Sequence, residues 1–231
     1  AWCKRVPWVF ELRDIWPESI RVVGAMGESK LLDLLEKLEL FLYRNARAVV
    51  AVTHAFRDNL VRRGIPSEKI HVVTNGVDTS RFVQRPKDEA LLMNLGLEGK
   101  FVAGYIGTHG MAHALDTILS AARILQDAPD GDRYRILLLG DGATKESLLA
   151  RAKDERLNNV LFVDSVPKDQ VVRYWSILDA SIIHLKRDPL FKTVIPSKMF
   201  ESMGMAIPIL HGVEGESADI VEREGVGLVF E

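Results

Sequence analysis

Ser197, Lys198 and Glu201 stand in the segment PSKMFES, just past an apolar run that ends at Pro196. Proline suits the first position of a helix, so the N–H groups of Ser197 and Lys198 are expected free at a dipole-positive end, beside a flexible ammonium. That combination suits a phosphate. Glu201 follows Ser197 by four and Lys198 by three, which sets all three on one face a turn apart and leaves Met199, Phe200 and Met203 to point into the core. Two readings of Glu201 compete. It could cap the helix or pair with Lys198. A capping box, however, needs its acid three residues after Ser197, where Phe200 sits, and Lys before Glu is the poorer order for a helix ion pair. Burying an unpaired carboxylate is expensive, and a ribose cis-diol offers an O–H donor to each of its oxygens. The ligand-binding reading takes precedence.

These residues need a scaffold, and the second half of the chain supplies one. β-Branched runs at 101–107, 134–142, 159–164, 179–185, 208–212 and 227–230 alternate with helical patterns at 112–126, 144–156, 168–178, 196–204 and 217–224. Near-continuous apolar strands alternating with helices predict an α/β domain with a doubly wound parallel sheet covered on both faces. Residues 1–83 carry a thinner version of the pattern, with strands at 8–14, 48–53 and 69–78. A helix at 30–45 presents Leu31, Leu34, Leu35, Leu38 and Leu42 as a stripe expected to face the core. Such a sheet usually has five or six strands, so this half reads as an incomplete Rossmann-like domain, and the chain ends without a closing helix. Residues 84–100, polar and proline-containing, read as a linker with a short helix.

In an open parallel sheet, ligands bind outside the carboxyl ends of the strands. That edge collects Gly107, Thr108, His109 and Gly110, then Asp141 and Gly142, Asp164 and Ser165, His184 to Arg187, and His211 to Glu216. Gly107 and Gly110 at a strand-to-helix turn would let backbone N–H groups approach a phosphate, although the spacing is not that of a dinucleotide fingerprint and Gly104 reads as a site of close helix packing. Asp130-Gly131-Asp132 has the D-x-D spacing of a metal-dependent sugar-nucleotide site but precedes its strand, which puts it on the opposite edge. His109 and His113 lack a third ligand, so no metal is expected. Lys and Arg (30) nearly balance Asp and Glu (32), which gives no field for nucleic acid. Cys3 is alone, no apolar run is long enough to span a membrane, and no signal peptide is evident, which fits a cytoplasmic chain.

The segments RDIWPES (13–19), AVTHAFRDNLVRRGIPSEKIHVVTNGVDTSRF (51–82), GYIGTHGMAHALDTILSAA (104–122), LLLGDGATKESL (138–148), NVLFVDSVPK (159–168) and LFKTVIPSKMFESMGMAIPIL (190–210) resemble the retaining GT-B glycosyltransferases of family 4, in particular the WbuB-like subgroup. The resemblance implies two Rossmann-like domains, residues 1–83 on the acceptor side and 101–231 holding a UDP-sugar, an amino sugar among the candidates. By position, Glu201 would bind the ribose. Ser197, Lys198 and the backbone of Gly107, Thr108 and Gly110 would bind the diphosphate, and Ser165 and Val166 would lie near the base. Glu214, Gly215 and Glu216 would face the donor sugar, and Lys198 with Arg187 would stabilise the leaving group. Arg13 and Asp14 would stand on the acceptor side, in a relative's His-Asp position. The chain departs from the pattern at Thr193, where the family has the first glutamate of its E-x7-E motif, and around His109 and His113, where it commonly has Arg and Lys. The family's early N-terminal strands and closing helix have no counterpart. The implied reaction carries a sugar to a hydroxyl of a glycan or lipid-linked acceptor in bacterial surface polysaccharide synthesis, without cofactor or metal. Peripheral association with the inner membrane face goes with a lipid-linked acceptor. A GT-B sugar-nucleotide epimerase and a nucleotide-binding module without activity remain open as alternatives.

Overall fold

The computed structural model describes residues 6–16, 18–24 and 30–230, so Cys3 and Pro17 lie outside the described residues. In chain order the elements are β1 (Val9–Leu12), α1 (Glu18–Val23), α2 (Lys30–Asn45), β2 (Ala48–Ala51), α3 (His54–Arg62), β3 (Ile70–Val72), α4 (Glu89–Leu95), β4 (Phe101–Ile106), α5 (Leu115–Gln126), β5 (Tyr134–Leu139), α6 (Lys145–Asp154), β6 (Val160–Val163), α7 (Val171–Ser176), β7 (Ala180–His184), α8 (Lys198–Gly204), β8 (Ile209–Gly212), α9 (Glu216–Glu224) and β9 (Gly227–Val229). The chain forms two compact units. One comprises Ala1–Asn75, Arg187–Ile195 and Glu214–Ser217, and the other Gly76–Lys186, Pro196–Val213 and Ala218–Glu231.

The first unit holds a parallel sheet in the order β1-β2-β3, packed around Leu12, Val49, Phe56, Leu60, Ile70 and Leu190. Thr53 caps α3 by accepting from the Phe56 N–H at 3.0 Å, and its own hydroxyl donates to the Thr193 carbonyl at 2.9 Å. The leucine stripe of α2 corrects the expectation from sequence: Leu31, Leu34 and Leu38 are at least half exposed, while Leu32, Glu39 and Tyr43 are buried. The reason is a polar network that favours the other face. Glu39 accepts from the Tyr43 hydroxyl at 2.5 Å and from Arg63 at 2.7 Å, so its carboxylate enters the interior already partnered.

The second unit is the doubly wound parallel sheet expected of residues 101–231, in the order β6-β5-β4-β7-β8-β9. Strand alternation sends Val102 and Ile106 of β4 to one face, with Leu137, Leu139 and Trp175. It sends Tyr105 to the other, with Leu119, Ile136, Leu138 and Leu148. The stretch read as a linker contains α4, capped by Asp88 at its start and by left-handed Gly96 at its end. Its Leu91 and Leu92, with Leu97, belong to the core of this unit. Gly104 gives the close approach expected of it, since a Cβ there would lie 2.3 Å from the Leu178 side chain.

Candidate functional site

Strand order decides which of the carboxyl-end loops matter. From β4 the chain winds outward through β5 to β6, and from β7 outward the opposite way through β8 to β9. The switch point therefore lies between β4 and β7, which pair in register at Ala103–Ala180 and Gly104–Ser181. Loops leaving adjacent strands at a switch point diverge and open a crevice. The loop after β4 carries Gly107, Thr108 and Gly110, and the connection after β7 leads into α8, whose first residue is Lys198.

Across that crevice the Lys198 side chain reaches the β4 loop. The Lys198 ammonium sits 3.6 Å from the centroid of the Tyr105 ring, and it lies 2.9 Å from the point a Cβ on Gly107 would occupy. Gly107 adopts φ of +148°, open to glycine, and its N–H is held by the Leu139 carbonyl at 2.9 Å. Thr108 is exposed, and its carbonyl accepts from the Tyr105 hydroxyl at 2.8 Å. The Gly110 carbonyl accepts from the His113 N–H at 3.0 Å. Burial pushes the Lys198 ammonium down to about 7, with the Glu201 carboxylate opposing.

Glu201 is half-buried one turn along α8. Burial raises its pKa, and the charges of Lys198 and Arg81 pull it back. Among the described residues its carboxylate accepts no hydrogen bond and makes no ion pair within 4.0 Å, so both oxygens are available to a ligand. Ser197 is exposed and its side chain makes no capping bond. The regular helix starts two residues later than the sequence suggests, because Met199 and Phe200 donate back to the Pro196 and Ser197 carbonyls, both at 3.0 Å, in a tighter first turn.

The neighbouring loop is fixed from beneath. His109 donates its backbone N–H to the Asp141 carbonyl at 2.8 Å, and the His109 carbonyl accepts from the Thr144 N–H and hydroxyl at 3.0 and 2.8 Å. Two strand-end histidines read from sequence as edge residues, His109 and His211, are fully buried. Burial lowers both, His211 to about 4, and His113 behind the loop is also pushed to about 4. Ser165 is exposed after β6, whereas Val166 packs against the core. Lys145 donates to the Gly140 carbonyl and to Asp164, tying the β5 and β6 loops together. Asp130 and Asp132 sit before β5, where Lys100 and Arg135 pair with Asp132. Among the described residues no three His, Cys, Asp or Glu are grouped to hold a metal ion, and no helix is long and apolar enough to cross a membrane.

The remaining predicted residues belong to the first unit. Glu214 pairs with Lys192 at 2.5 Å, which lowers its pKa, and the charge of the exposed Arg187 adds to the effect. Gly215 takes φ of +84°, and a Cβ there would lie 2.1 Å from the Lys192 carbonyl. Glu216 caps α3, accepting from the His54 and Ala55 N–H groups at 3.3 and 3.1 Å. Arg13 donates to Asn75 at 3.2 Å. With Asp14 it borders a cavity of about 330 Å³ lined by Phe10, Leu35, Leu38 and Leu42. Sequence reading passed over Tyr105 and Arg81. The first looks like one more apolar strand residue, and the second was visible only as part of the NGVDTSRF segment.

Known proteins are similar to this chain in sequence and in fold. The chain is 27% identical over 212 residues to TuaH of Bacillus subtilis (strain 168), whose name assigns it provisionally to teichuronic acid biosynthesis as a glycosyltransferase; the match covers 87% of this chain and 49% of TuaH. It is 21% identical over 189 residues to the GDP-mannose-dependent alpha-mannosyltransferase of Mycobacterium tuberculosis (strain CDC 1551 / Oshkosh), covering 82% of this chain and 45% of that one. The chain thus spans about half the length of these curated relatives. Among solved structures, Anabaena Alr3699/HepE in complex with UDP-glucose superposes with a TM-score of 0.78 at 20% identity, over 99% of this chain and 59% of that one. WaaG, a glycosyltransferase involved in lipopolysaccharide biosynthesis, superposes at 0.73 and 14% identity, over 96% and 60%. The fold class, α/β and GT-B-like, is therefore the one expected from sequence. Residues 1–81 match the model of Glycosyltransferase Family 4 and residues 89–231 that of the Glycosyl transferases group 1, and the chain belongs to this glycosyltransferase family.

Proposed function

We propose that the chain is the donor-binding part, with a portion of the acceptor side, of a retaining WbuB-like glycosyltransferase. It moves a sugar from a UDP-linked donor, an amino sugar among the candidates, to a hydroxyl of a glycan or lipid-linked acceptor in bacterial surface polysaccharide synthesis. The setting is the cytoplasm, with peripheral association at the inner membrane face. One observation carries the reading: an ammonium and an unpartnered carboxylate stand one turn apart at the β4/β7 switch point, beside a glycine turn. A nucleoside diphosphate fits that pattern, its phosphates against Lys198, Ser197 and the backbone N–H groups of Thr108 and Gly110, and its ribose diol on Glu201; Gly107, whose own N–H is held by Leu139, contributes close approach rather than a donor. Ser165 and Val166 lie at the same sheet edge for the base. UDP is favoured because Anabaena HepE was crystallised with UDP-glucose.

The chemical demand in such a transfer is stabilisation of the departing diphosphate by fixed donors and cations. Lys198, charged when a phosphate is bound, meets it. The roles of Arg187 beside the leaving group, of Glu214 to Glu216 at the donor sugar, and of Arg13 and Asp14 at the acceptor rest on the resemblance alone. Because the Glu216 carboxylate is engaged at α3, its segment offers a ligand the backbone of Gly215 rather than that acid.

Calorimetric titration with UDP and GDP, on the parent and on Glu201→Ala, tests the reading. Two charge-assisted hydrogen bonds to the ribose predict about 30- to 100-fold weaker UDP binding in the variant. Equal affinity would overturn the ribose assignment. Release of UDP from a UDP-sugar only on addition of acceptor identifies a transferase, inversion of a sugar stereocentre without added acceptor points to an epimerase, and binding without turnover to a binding module.

A further inference from the structure

We infer that Tyr105 is a positioning residue for nucleotide binding, holding the Lys198 ammonium with its ring face and the diphosphate loop with its hydroxyl. The inference rests on the proposed function for its ligand, but its geometry stands independently. Tyr105 is fully buried in β4, so it does not touch substrate. Its ring centroid is 3.6 Å from the Lys198 nitrogen, and its hydroxyl donates to the Thr108 carbonyl at 2.8 Å. The same ring meets the His113 imidazole edge-on at 5.6 Å between centroids and faces the His109 imidazole at 6.0 Å, so it neighbours both ends of the 108–113 turn.

A flexible lysine in a desolvated place needs something that favours both its charge and its position. The pairing candidates are few. Glu201 acts on Lys198 through its charge but makes no ion pair within 4.0 Å among the described residues, and the two histidines nearby are pushed toward their neutral forms. The negative face of an aromatic ring attracts an ammonium without competing for the N–H donors a phosphate would use, as a carboxylate would. It also limits the rotamers open to the side chain, so less order must be imposed when a ligand arrives. The hydroxyl adds a second link: it fixes the Thr108 carbonyl, and with it the Thr108–His109 peptide, whose N–H is held by the Asp141 carbonyl on the other side. One side chain therefore ties the cation of residue 198 to the loop that begins at Thr108, two parts of the site that lie 90 residues apart in sequence.

Two readouts separate this from a packing role. The first needs no ligand: the 13Cε resonance of Lys198 is titrated by NMR in the parent, in Tyr105→Phe, and in a protein carrying pentafluorophenylalanine at position 105. The fluorinated ring keeps the shape of phenylalanine but loses its negative face. The expected result is a Lys198 midpoint near that of the parent in Tyr105→Phe, and lower by about one pH unit with the fluorinated ring, the tenfold effect of a desolvated cation–π contact. An unchanged midpoint in the fluorinated protein overturns the inference. The second readout is UDP affinity in a double-mutant cycle. Tyr105→Leu is expected to weaken UDP about tenfold when Lys198 is present and less than twofold in a Lys198→Met background. Equal losses in both backgrounds would make Tyr105 a packing residue and overturn the inference. If the parent binds no UDP the proposed function falls, and the NMR titration still decides the role of Tyr105.

Discussion

Nucleotide affinity should depend on pH through Lys198, and the size of the effect follows from its surroundings. The free protein holds this amine at about 7 because burial disfavours its charge. A bound diphosphate supplies the missing counter-charge and returns the amine toward or above its ordinary value near 10. Below pH 7 the ammonium is present before binding, and pH adds nothing through this group. Above pH 7 binding must take up a proton, so affinity falls as pH rises. The ammonium fraction of the free protein is about one quarter at pH 7.5 and about one hundredth at pH 9, which makes UDP roughly 25-fold weaker across that window. The nucleotide's terminal phosphate, with a second pKa near 6, is already ionised there. His113, at about 4, and His109, lowered by burial, stay neutral. Calorimetry in buffers of different ionisation enthalpy reads both the affinity and the proton uptake. Lys198→Arg should bind without the slope, since guanidinium stays charged, and Lys198→Met should be weak and flat. Flat affinity in the parent, or a slope that survives in Lys198→Met, would mean that Lys198 does not take up the proton.

Other consequences concern the supports of the site. A Cβ at Gly140 would lie 1.8 Å from the Gly107 carbonyl, at a φ of +148°; Gly140→Ala should lower the melting temperature by about 5–10 °C, for a loss of roughly 2–3 kcal/mol, and weaken UDP, as differential scanning fluorimetry and titration would show. Glu216→Ala leaves the His54 and Ala55 N–H groups of α3 without their acceptor and should cost about 1 kcal/mol in urea denaturation, whereas no change would mean that water replaces the cap fully. His113 and His211, each pushed from 6.5 to about 4 by burial, bind protons more readily in the unfolded chain. Their share of stability is complete above about pH 6.5 and is lost as pH falls toward 4, an acid sensitivity that should lessen in His211→Asn.

How far this was legible in sequence depends on the range of the interaction. The second sheet and its helices follow from local periodicity, because each apolar run lies between two helical patterns and must be covered on both faces. The proximity of Ser197, Lys198 and Glu201 is legible for a similar reason: a proline and three polar residues sit within about a turn. The face of α2 is not. Glu39 looks like a solvent residue until Arg63, 24 residues later, is brought to it, and the same tie leaves Leu31, Leu34 and Leu38 outward. His109 and His211 carry no sequence mark of being buried, since both end apolar strands as exposed edge residues would.

The decisive step is also the least local. Residues at the carboxyl ends of six strands can be read from sequence as one edge, and nothing in their types says which loops adjoin. That depends on β7 returning to lie beside β4 after β5 and β6 have been added on the other side. The Ala103–Ala180 and Gly104–Ser181 pairing makes the glycine turn and the start of α8 neighbours. With β7 placed beyond β6 instead, Lys198 would lie over the wrong loop, and Tyr105, Gly107 and Glu201 would be three unremarkable residues of a sheet edge. The right-handed crossovers that close each strand–helix–strand unit constrain this order without determining it. The proposed site therefore depends on a topological choice made by packing across the whole unit, which alone brings the short Pro-Ser-Lys segment beside the β4 loop.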